Sequence, residues 1–311
     1  MKLRRVFAAL LTLVLLCTLW LPAGARHERP DVDHPFDNSA FAAVGDYRIH
    51  YRTFPAENAR GQIFMIHGFA LSSYCFVALA EELVKAGYTC VLADLPDFGY
   101  STREDKNTDR LPREEIMHGV MTSINSDPWI VAGHSMGGYV ALELALQYPD
   151  DVAALLMYGT SGNDGAGGIR EKMMNSDLLL SGMGNLLETM AKSPALVRLL
   201  YIFACNSVSY AMHYDVSKII DPYYIRGTGE GALRNFLMLP ATDYDAVRRM
   251  QPFLFVNGDH DYVVTDSARK NLRAALPQGS VDYVVKGGGH MCIETHAEEV
   301  ANVTVDFLES R

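Results

Sequence analysis

Short apolar runs alternate with longer helical segments along most of the chain. Most of the runs are continuously apolar, which is typical of strands that are buried on both faces. Strands that alternate with helices form a mostly parallel sheet with helices on both of its faces. We therefore predict an α/β fold. The predicted strands are Tyr47–Phe54, Gln62–Ile66, Thr89–Ala93, Trp129–Ala132, Ala153–Tyr158, Pro252–Val256 and Val281–Val285, and the helical segments between them include Ser73–Ala86, Arg113–Ile124, Met136–Gln147 and Ser267–Ala275.

The alternation stops over residues 161–247, called here the cap segment. This stretch begins with glycine and asparagine and then becomes helical and rich in methionine. A helical insertion of this size between two core strands is predicted to lie over the sheet as a cap. Its methionines either fill the interior of the insertion or line an apolar pocket beneath it. They are Met173, Met174, Met183, Met190, Met212 and Met238.

The first 25 residues have the three parts of a secretory signal. Lys2, Arg4 and Arg5 precede a charge-free, mostly apolar run over residues 6–21, and residues 23–25 read A-G-A, as at a cleavage site. The run is shorter than the roughly 20 residues of a membrane-spanning helix. We predict that residues 1–25 are a signal peptide and that residues 26–311 form the mature domain, secreted or periplasmic. An uncleaved membrane anchor is the alternative.

The charge of the chain narrows the class of partner. The formal net charge is −10, which argues against nucleic acid or an anionic membrane surface as the main partner. A small molecule is the expected ligand. No C-x-x-C pair is present, so neither a zinc ribbon nor a redox pair is indicated. No metal or organic cofactor is expected, and the cysteines of the predicted mature chain are expected to be reduced thiols: Cys75, Cys90, Cys205 and Cys292.

The strongest motif is the pentapeptide at residues 133–137, which reads G-H-S-M-G. It stands between the predicted strand Trp129–Ala132 and a helical run that ends before Pro149. A sharp turn from strand to helix places the central residue in strained backbone geometry, and small flanking residues avoid clashes there. Such a turn raises the hydroxyl of Ser135 at the carboxyl edge of the sheet, so Ser135 is the predicted nucleophile.

A nucleophilic serine needs a base, and the base needs an orienting acid. The predicted strand Pro252–Val256 is followed by Asp259 and Asp261, and the strand Val281–Val285 is followed by three glycines and His290. The carboxyl ends of parallel strands meet at one edge of a sheet, where ligands bind. We predict His290 as the base and Asp261 as the acid, with Asp259 as the rival acid.

Acyl transfer also needs two N–H donors for the oxyanion. The backbone of Met136, directly after the nucleophile, is predicted to supply one. The loop after strand Gln62–Ile66 reads H-G-F, and the backbone N–H of Phe69 is the predicted second donor. His67 is predicted to brace this loop by hydrogen bonds rather than to act as a base.

Together these segments resemble the α/β-hydrolase family, in particular its capped, lipase- or esterase-like serine hydrolases. The resemblance extends in family order over residues 45–310. One departure is Asp97, which stands where family members usually carry glycine and leaves the shape of that loop open. The matching segments are His67–Phe69, Asp94–Ser101, Gly133–Gly138, Gly258–Asp261 and Gly288–His290.

The resemblance implies an exported serine hydrolase with a Ser135–His290–Asp261 triad and an acyl-enzyme intermediate. A carboxylic ester with a small-to-medium hydrophobic acyl group is the expected substrate. A lactonase or an amide or peptide hydrolase would use the same triad, so both stay as alternatives. A non-catalytic ligand-binding protein on the same scaffold is a further alternative, although a binder has no need of a complete triad.

Overall fold

The computed structural model describes residues 32–105, 108, 110–165 and 176–311. The predicted signal peptide, residues 1–25, lies outside the described residues. So do residues 166–175 of the cap segment, which include Met173 and Met174.

The strands of the described residues form one eight-stranded sheet. They are β1 (Ser39–Val44), β2 (Tyr47–Phe54), β3 (Gly61–Ile66), β4 (Tyr88–Ala93), β5 (Trp129–His134), β6 (Val152–Tyr158), β7 (Leu254–Gly258) and β8 (Val281–Val285). Their spatial order is β1-β2-β4-β3-β5-β6-β7-β8. Strand β2 pairs antiparallel with β1 and β4, and the other neighbouring strands are parallel. The predicted α/β fold is confirmed.

Helices cover both faces of the sheet and continue through the cap segment. Alternate side chains of β3 point to opposite faces: Ile63 and Met65 pack in one apolar layer, and Phe64 and Ile66 in the other. The α-helices are α1 (Val77–Lys85), α2 (Arg113–Ile124), α3 (Met136–Gln147), α4 (Asp177–Ala191), α5 (Pro194–Cys205), α6 (Val208–His213), α7 (Ser217–Ile220), α8 (Thr228–Met238), α9 (Tyr244–Val247), α10 (Asp266–Ala274), α11 (Cys292–Thr295) and α12 (Ala297–Glu309). Of the described helices, none combines the length and the apolar composition that a membrane span requires.

Strand β1 is absent from the sequence prediction, which treated residues 26–40 as a polar leader. Its sequence, SAFAAV, contains mostly small residues and has little of the β-branched character that marks a strand. Strand β1 is formed instead by pairing: Val44 lies opposite Tyr47 across a two-residue turn, and Gly45 has φ +55°. A tight hairpin of this kind favours residues that accept positive φ.

Three of the described methionines of the cap segment do not fill its interior. Met183, Met212 and Met238 are 43%, 54% and 46% exposed, so the interpretation as internal filling is wrong for these three residues. Met190 lines the large cavity described below. Methionine content alone does not tell which face of a helix is covered, and these three side chains stay partly accessible to solvent.

Asp97 adopts a backbone conformation that is usual for glycine. Its φ is +70°, and its side chain is buried. The carboxylate receives hydrogen bonds from the backbone N–H of Glu104 (2.7 Å) and from the side-chain amide of Asn235 on α8 (3.0 Å). Burial and the nearby charge of Glu104 raise the pKa of Asp97 to about 6. The departure from glycine therefore ties the loop to the cap segment.

Candidate active site

Ser135 lies on the predicted turn, between the end of β5 and the start of α3. Its backbone has φ +54° and ψ −121°, which is a strained conformation for a residue with a side chain. The surrounding structure holds it there: the N–H of Ser135 donates to the carbonyl of Tyr158 (2.9 Å), and its own carbonyl accepts from the hydroxyl of Thr160 (2.6 Å). A Cβ on Gly137 would lie 2.1 Å from the carbonyl oxygen of Ile66, so the turn needs a glycine at this position.

The structure brings His290 and Asp261 together behind this serine. His290 is 5% exposed, and its Nδ1 lies 2.9 Å from Oδ2 of Asp261. A carboxylate only accepts, so Nδ1 of His290 donates this hydrogen bond and Nε2 is the ring nitrogen left for proton transfer. Asp259, the rival acid, instead bonds Nδ1 of His260 (2.6 Å) and the N–H of Gly287 (2.8 Å).

Asp261 is held in its ionised form by its partners. Burial by itself would raise the pKa of this carboxyl group, but the hydrogen bond with His290 and the charges of His290 and Arg269 hold it below the ordinary value. Oδ1 accepts the backbone N–H groups of Val263 and Val264, both at 2.9 Å, and Oδ2 accepts the guanidinium of Arg269 as well as His290. The acid is therefore charged and fixed in orientation.

His134 stabilises the backbone of the loop that follows β8 and carries His290, called here the histidine loop. Its Nε2 donates to the carbonyl oxygen of His290 (2.9 Å), and its Nδ1 has no partner among the described residues. Burial, together with the charge of His290, lowers the pKa of His134 to about 3, so this ring stays neutral. Sequence reasoning quoted His134 within the motif and gave it no role, because its contact lies 156 residues away along the chain.

The cap segment contacts the same loop. The N–H of Met291 donates to the carbonyl of Ala204 on α5 (3.0 Å). A Cβ on Gly289 would lie 2.5 Å from that carbonyl oxygen, so the helix can approach this closely only because residue 289 is glycine. The position of the base therefore depends on the cap segment as well as on β8.

The two predicted oxyanion donors belong to the residue after Ser135 and to a loop that lines the same cavity. Met136 is the first residue of α3, and the first N–H groups of a helix have no partner within the helix. Phe69 lines the same cavity as Ser135. His67 is buried beside it: Nδ1 donates to the carbonyl of Gly68 (2.8 Å), and Nε2 accepts the N–H of Leu95 (3.0 Å). With both ring nitrogens engaged, His67 shapes the loop that carries Phe69.

Ser135 and His290 open onto a cavity of about 880 Å³ between the sheet edge and the cap segment. Cavities of this size accommodate drug-sized molecules. Lysine and arginine are absent among the described residues that line it, and most of the lining is apolar. The apolar members include Phe69, Leu71, Leu187, Met190, Val197, Leu200, Ile202, Phe203, Ile219 and Met291.

The other titratable groups of the described residues form neither a metal site nor a disulfide. The described part of the chain contains no group of three or more histidine, cysteine or acidic side chains placed to hold a metal ion. The four cysteines of the predicted mature chain are free and buried. Burial raises the pKa of Cys90 and of Cys292 to about 12, so these thiols are protonated and unreactive near neutral pH.

Comparisons with known proteins find similarity to several hydrolases. One relative is a 2-hydroxy-6-oxononadienedioate/2-hydroxy-6-oxononatrienedioate hydrolase from Cupriavidus pinatubonensis. It is 24% identical over 286 residues, which cover 87% of this chain and 95% of the relative. Lipase 3 of a Moraxella species is 24% identical over 276 residues, 84% of this chain and 80% of that protein. The crystal structure of an enol-lactonase from Burkholderia xenovorans superposes with a TM-score of 0.70 at 18% identity, covering 87% of this chain and 100% of that one.

The family model described as the alpha/beta hydrolase family matches residues 63–303, from β3 to the last helix. The match includes the turn at Ser135, the loops of Asp261 and His290, and the cap segment. The chain belongs to the α/β hydrolase family.

Proposed function

We propose that this hydrolase is an exported serine esterase, which cleaves a carboxylic ester with a small-to-medium hydrophobic acyl group. The observation that carries the proposal is the arrangement of its three candidate groups. Ser135 and His290 line one apolar cavity, and Asp261 bonds Nδ1 of His290 from behind, which leaves Nε2 free to accept a proton.

In the first half-reaction, Oγ of Ser135 attacks the carbonyl carbon of the ester while Nε2 of His290 takes the hydroxyl proton. The electron pair of the C=O bond moves to oxygen, and the N–H groups of Phe69 and Met136 stabilise the resulting oxyanion. When the tetrahedral intermediate collapses, its C–O bond to the alcohol breaks and His290 returns the proton to the leaving oxygen. Asp261 stabilises the imidazolium throughout.

In the second half-reaction, water replaces the alcohol. His290 takes a proton from the water as its oxygen attacks the acyl carbon, and the second tetrahedral intermediate releases the carboxylic acid. The proton on His290 returns to Oγ of Ser135. The cycle therefore consumes one water per ester and needs no other reactant.

The lining of the cavity supports a neutral, apolar substrate. The Cupriavidus relative is named for dicarboxylates, and a doubly anionic substrate would need cationic partners in a site of low dielectric. Among the described residues that line this cavity there is no lysine or arginine. Lactone or amide hydrolysis would follow the same steps, and no feature of the cavity favours either over an ester.

A series of p-nitrophenyl esters from acetyl to palmitoyl tests the proposal on the mature protein. We expect turnover with an optimum at an intermediate chain length, because the cavity is apolar and of limited volume. Ser135→Ala should lower kcat/KM by at least about a thousandfold. Ser207→Ala is the matched control, because Ser207 lines the same cavity but its hydroxyl caps α6, and this variant should keep most of the activity.

Labelling with a fluorophosphonate separates the alternatives. Protein that labels on Ser135 but cleaves no ester in the series would have a competent nucleophile and a different substrate. Protein that neither labels nor turns over would contradict the enzyme proposal and favour a ligand-binding role. Full activity in Ser135→Ala would exclude Ser135 as the nucleophile.

The export part of the proposal is supported by the sequence of residues 1–25, with its basic start, apolar run and A-G-A end. We expect the active protein to be recovered outside the cytoplasm with Arg26 as its first residue. Intact mass and N-terminal sequencing of that protein check this. A recovered chain that still begins at residue 1 and sediments with membranes would instead indicate an uncleaved anchor.

A further inference from the structure

A buried arginine stands directly behind the candidate triad. Arg269 lies on α10 and is 1% exposed. Its Nη2 donates to Oδ2 of Asp261, the same oxygen that accepts Nδ1 of His290 at 2.9 Å. One carboxylate oxygen is therefore shared between a permanent cation and the imidazole that is proposed to act as the base.

The carboxylate of Asp261 does not need this arginine as a hydrogen-bond donor, so that need does not explain why Arg269 is buried. The other carboxylate oxygen already accepts the N–H groups of Val263 and Val264. Arg269 itself is poorly satisfied: its Nε has no partner among the described residues, and Nη1 lies 3.5 Å from Asp266, whose side chain is 80% exposed. Burying a guanidinium in this way is costly, and buried ion pairs are often no more stabilising than apolar side chains.

We propose that Arg269 is a positioning residue for the hydrolytic site: it fixes the carboxylate of Asp261 and offsets part of its negative charge, which limits how strongly the imidazolium of His290 is stabilised. An orienting acid without this cation would hold the proton on His290 more tightly. The free base that accepts the proton of Ser135 would then be present only at higher pH. The inference rests on the proposed function, because it needs His290 to act as that base.

The other groups around His290 do not compete with this effect. His134, which contacts the loop from β5, is neutral because its pKa is lowered to about 3 by burial and by the charge of His290. Cys292 on α11 is neutral because burial raises its pKa to about 12. Asp266 is the remaining charged contact of Arg269, and its exposure to water screens it. Glu294 on α11 is protonated below about pH 8 because burial raises its pKa to about 8. Below that pH, the pair Asp261–Arg269 therefore dominates the charge next to the imidazole.

The test is the pH dependence of kcat/KM, and of the rate of fluorophosphonate labelling of Ser135, between pH 5 and 9. In Arg269→Met we expect the acid limb of both profiles to move to higher pH by about one unit. The plateau of kcat/KM should fall about tenfold, since Asp261 loses one of its fixed donors. Arg269→Lys restores the charge and should return the limb most of the way.

Arg273→Met is the matched control. Arg273 lies on the same helix and pairs with Asp282 (2.6 Å), but its ion pairs do not include Asp261. Its acid limb should coincide with that of the unmodified protein. Circular dichroism identifies any variant that does not fold, and Arg269→Gln, which keeps a donor without the charge, replaces Arg269→Met in that case.

An unmoved acid limb in the folded uncharged variant would overturn the proposal, and so would an equal shift in Arg273→Met. Failure of the proposed function has a different signature: the unmodified protein itself would neither label nor hydrolyse esters. If it labels without hydrolysing esters, the labelling profiles alone decide the role of Arg269.

Discussion

Asp261 and Glu294 are both 7% exposed, and both lie next to the loop of His290. The pKa of Asp261 is nevertheless lowered, whereas that of Glu294 is raised. Asp261 lies beneath the loop, at the end of β7. Glu294 lies above it on α11, where the histidine loop meets the cap segment. Burial raises the pKa of both carboxyl groups, so only the partners of Asp261 can account for its lowered pKa.

The partners of Asp261 are cations and backbone donors. His290, Arg269 and two N–H groups all favour the charged form, and they outweigh the cost of burial. The carboxyl group of Glu294 instead receives the hydroxyl groups of Tyr201 and of Tyr210 (3.2 Å) on Oε2, and that of Tyr214 (3.5 Å) on Oε1. Phenols are neutral, and burial raises the pKa of Glu294 to about 8 despite them.

The comparison shows that the partners of these two buried acids decide which of them is charged. The charged acid supports the candidate base. The neutral acid joins α11 to the tyrosines of the cap segment, and Tyr201 among them lines the cavity. We therefore expect Asp261 to be essential for turnover and Glu294 to affect stability and its dependence on pH.

The largest expected effect separates the two acids by activity. Asp261→Asn removes the charge and allows the wrong tautomer of His290, so kcat should fall by about 10⁴-fold. Glu294→Gln replaces a neutral acid with a neutral amide of the same shape, so kcat/KM should stay within about threefold of the unmodified protein. Steady-state kinetics at pH 7 on the preferred p-nitrophenyl ester measure both.

These paired variants can contradict the comparison in two ways. A loss in Glu294→Gln as large as that in Asp261→Asn would show that both acids serve the chemistry. Retention of more than about a tenth of kcat in Asp261→Asn would remove Asp261 from the triad.

A smaller effect concerns stability against pH. The carboxyl group of Glu294 ionises near 4.5 in the unfolded chain but keeps its proton up to about 8 in the folded protein. Between these values unfolding releases a proton, so the free energy of unfolding falls as pH rises, by at most about 1.4 kcal/mol per unit from this group. Glu294→Gln should flatten the slope, as measured by urea unfolding at pH 5, 6, 7 and 8.

The acid Asp97 contributes a slope of the same sign below its pKa of about 6. From pH 6.5 to 8 the difference in slope between the unmodified protein and Glu294→Gln therefore reports Glu294, because buried histidines such as His134 contribute equally to both. Equal slopes for the unmodified protein and Glu294→Gln in this interval would mean that Glu294 is already ionised when folded. Asp261 has the opposite sign: its lowered pKa stabilises the folded state above the ordinary range of an aspartate, and this is lost only as pH falls through the folded value.

Local sequence predicted most of the fold. The bounds of the core strands were predicted within about two residues, because strands buried on both faces are continuous apolar runs. The turn at Ser135 could be predicted because its geometry depends on neighbouring residues. The short strand β1 was missed because pairing with β2, rather than its own composition, makes it a strand. Internal filling by methionine was wrong for Met183, Met212 and Met238, because composition does not tell which face of a cap helix is covered.

The sequence by itself determined the order and type of the core elements, the candidates Ser135 and His290, and the pair of rival acids Asp259 and Asp261, since each follows the end of a strand that its own composition defines. Only the tertiary structure decided the choice between Asp259 and Asp261, the placement of Arg269 against that acid, and the neutral state of Glu294. Those three outcomes depend on distances between segments and on how partners offset the cost of burial. Neither quantity has a signature in local residue order, because the electrostatic environment of a buried group is made by whatever chain is folded around it.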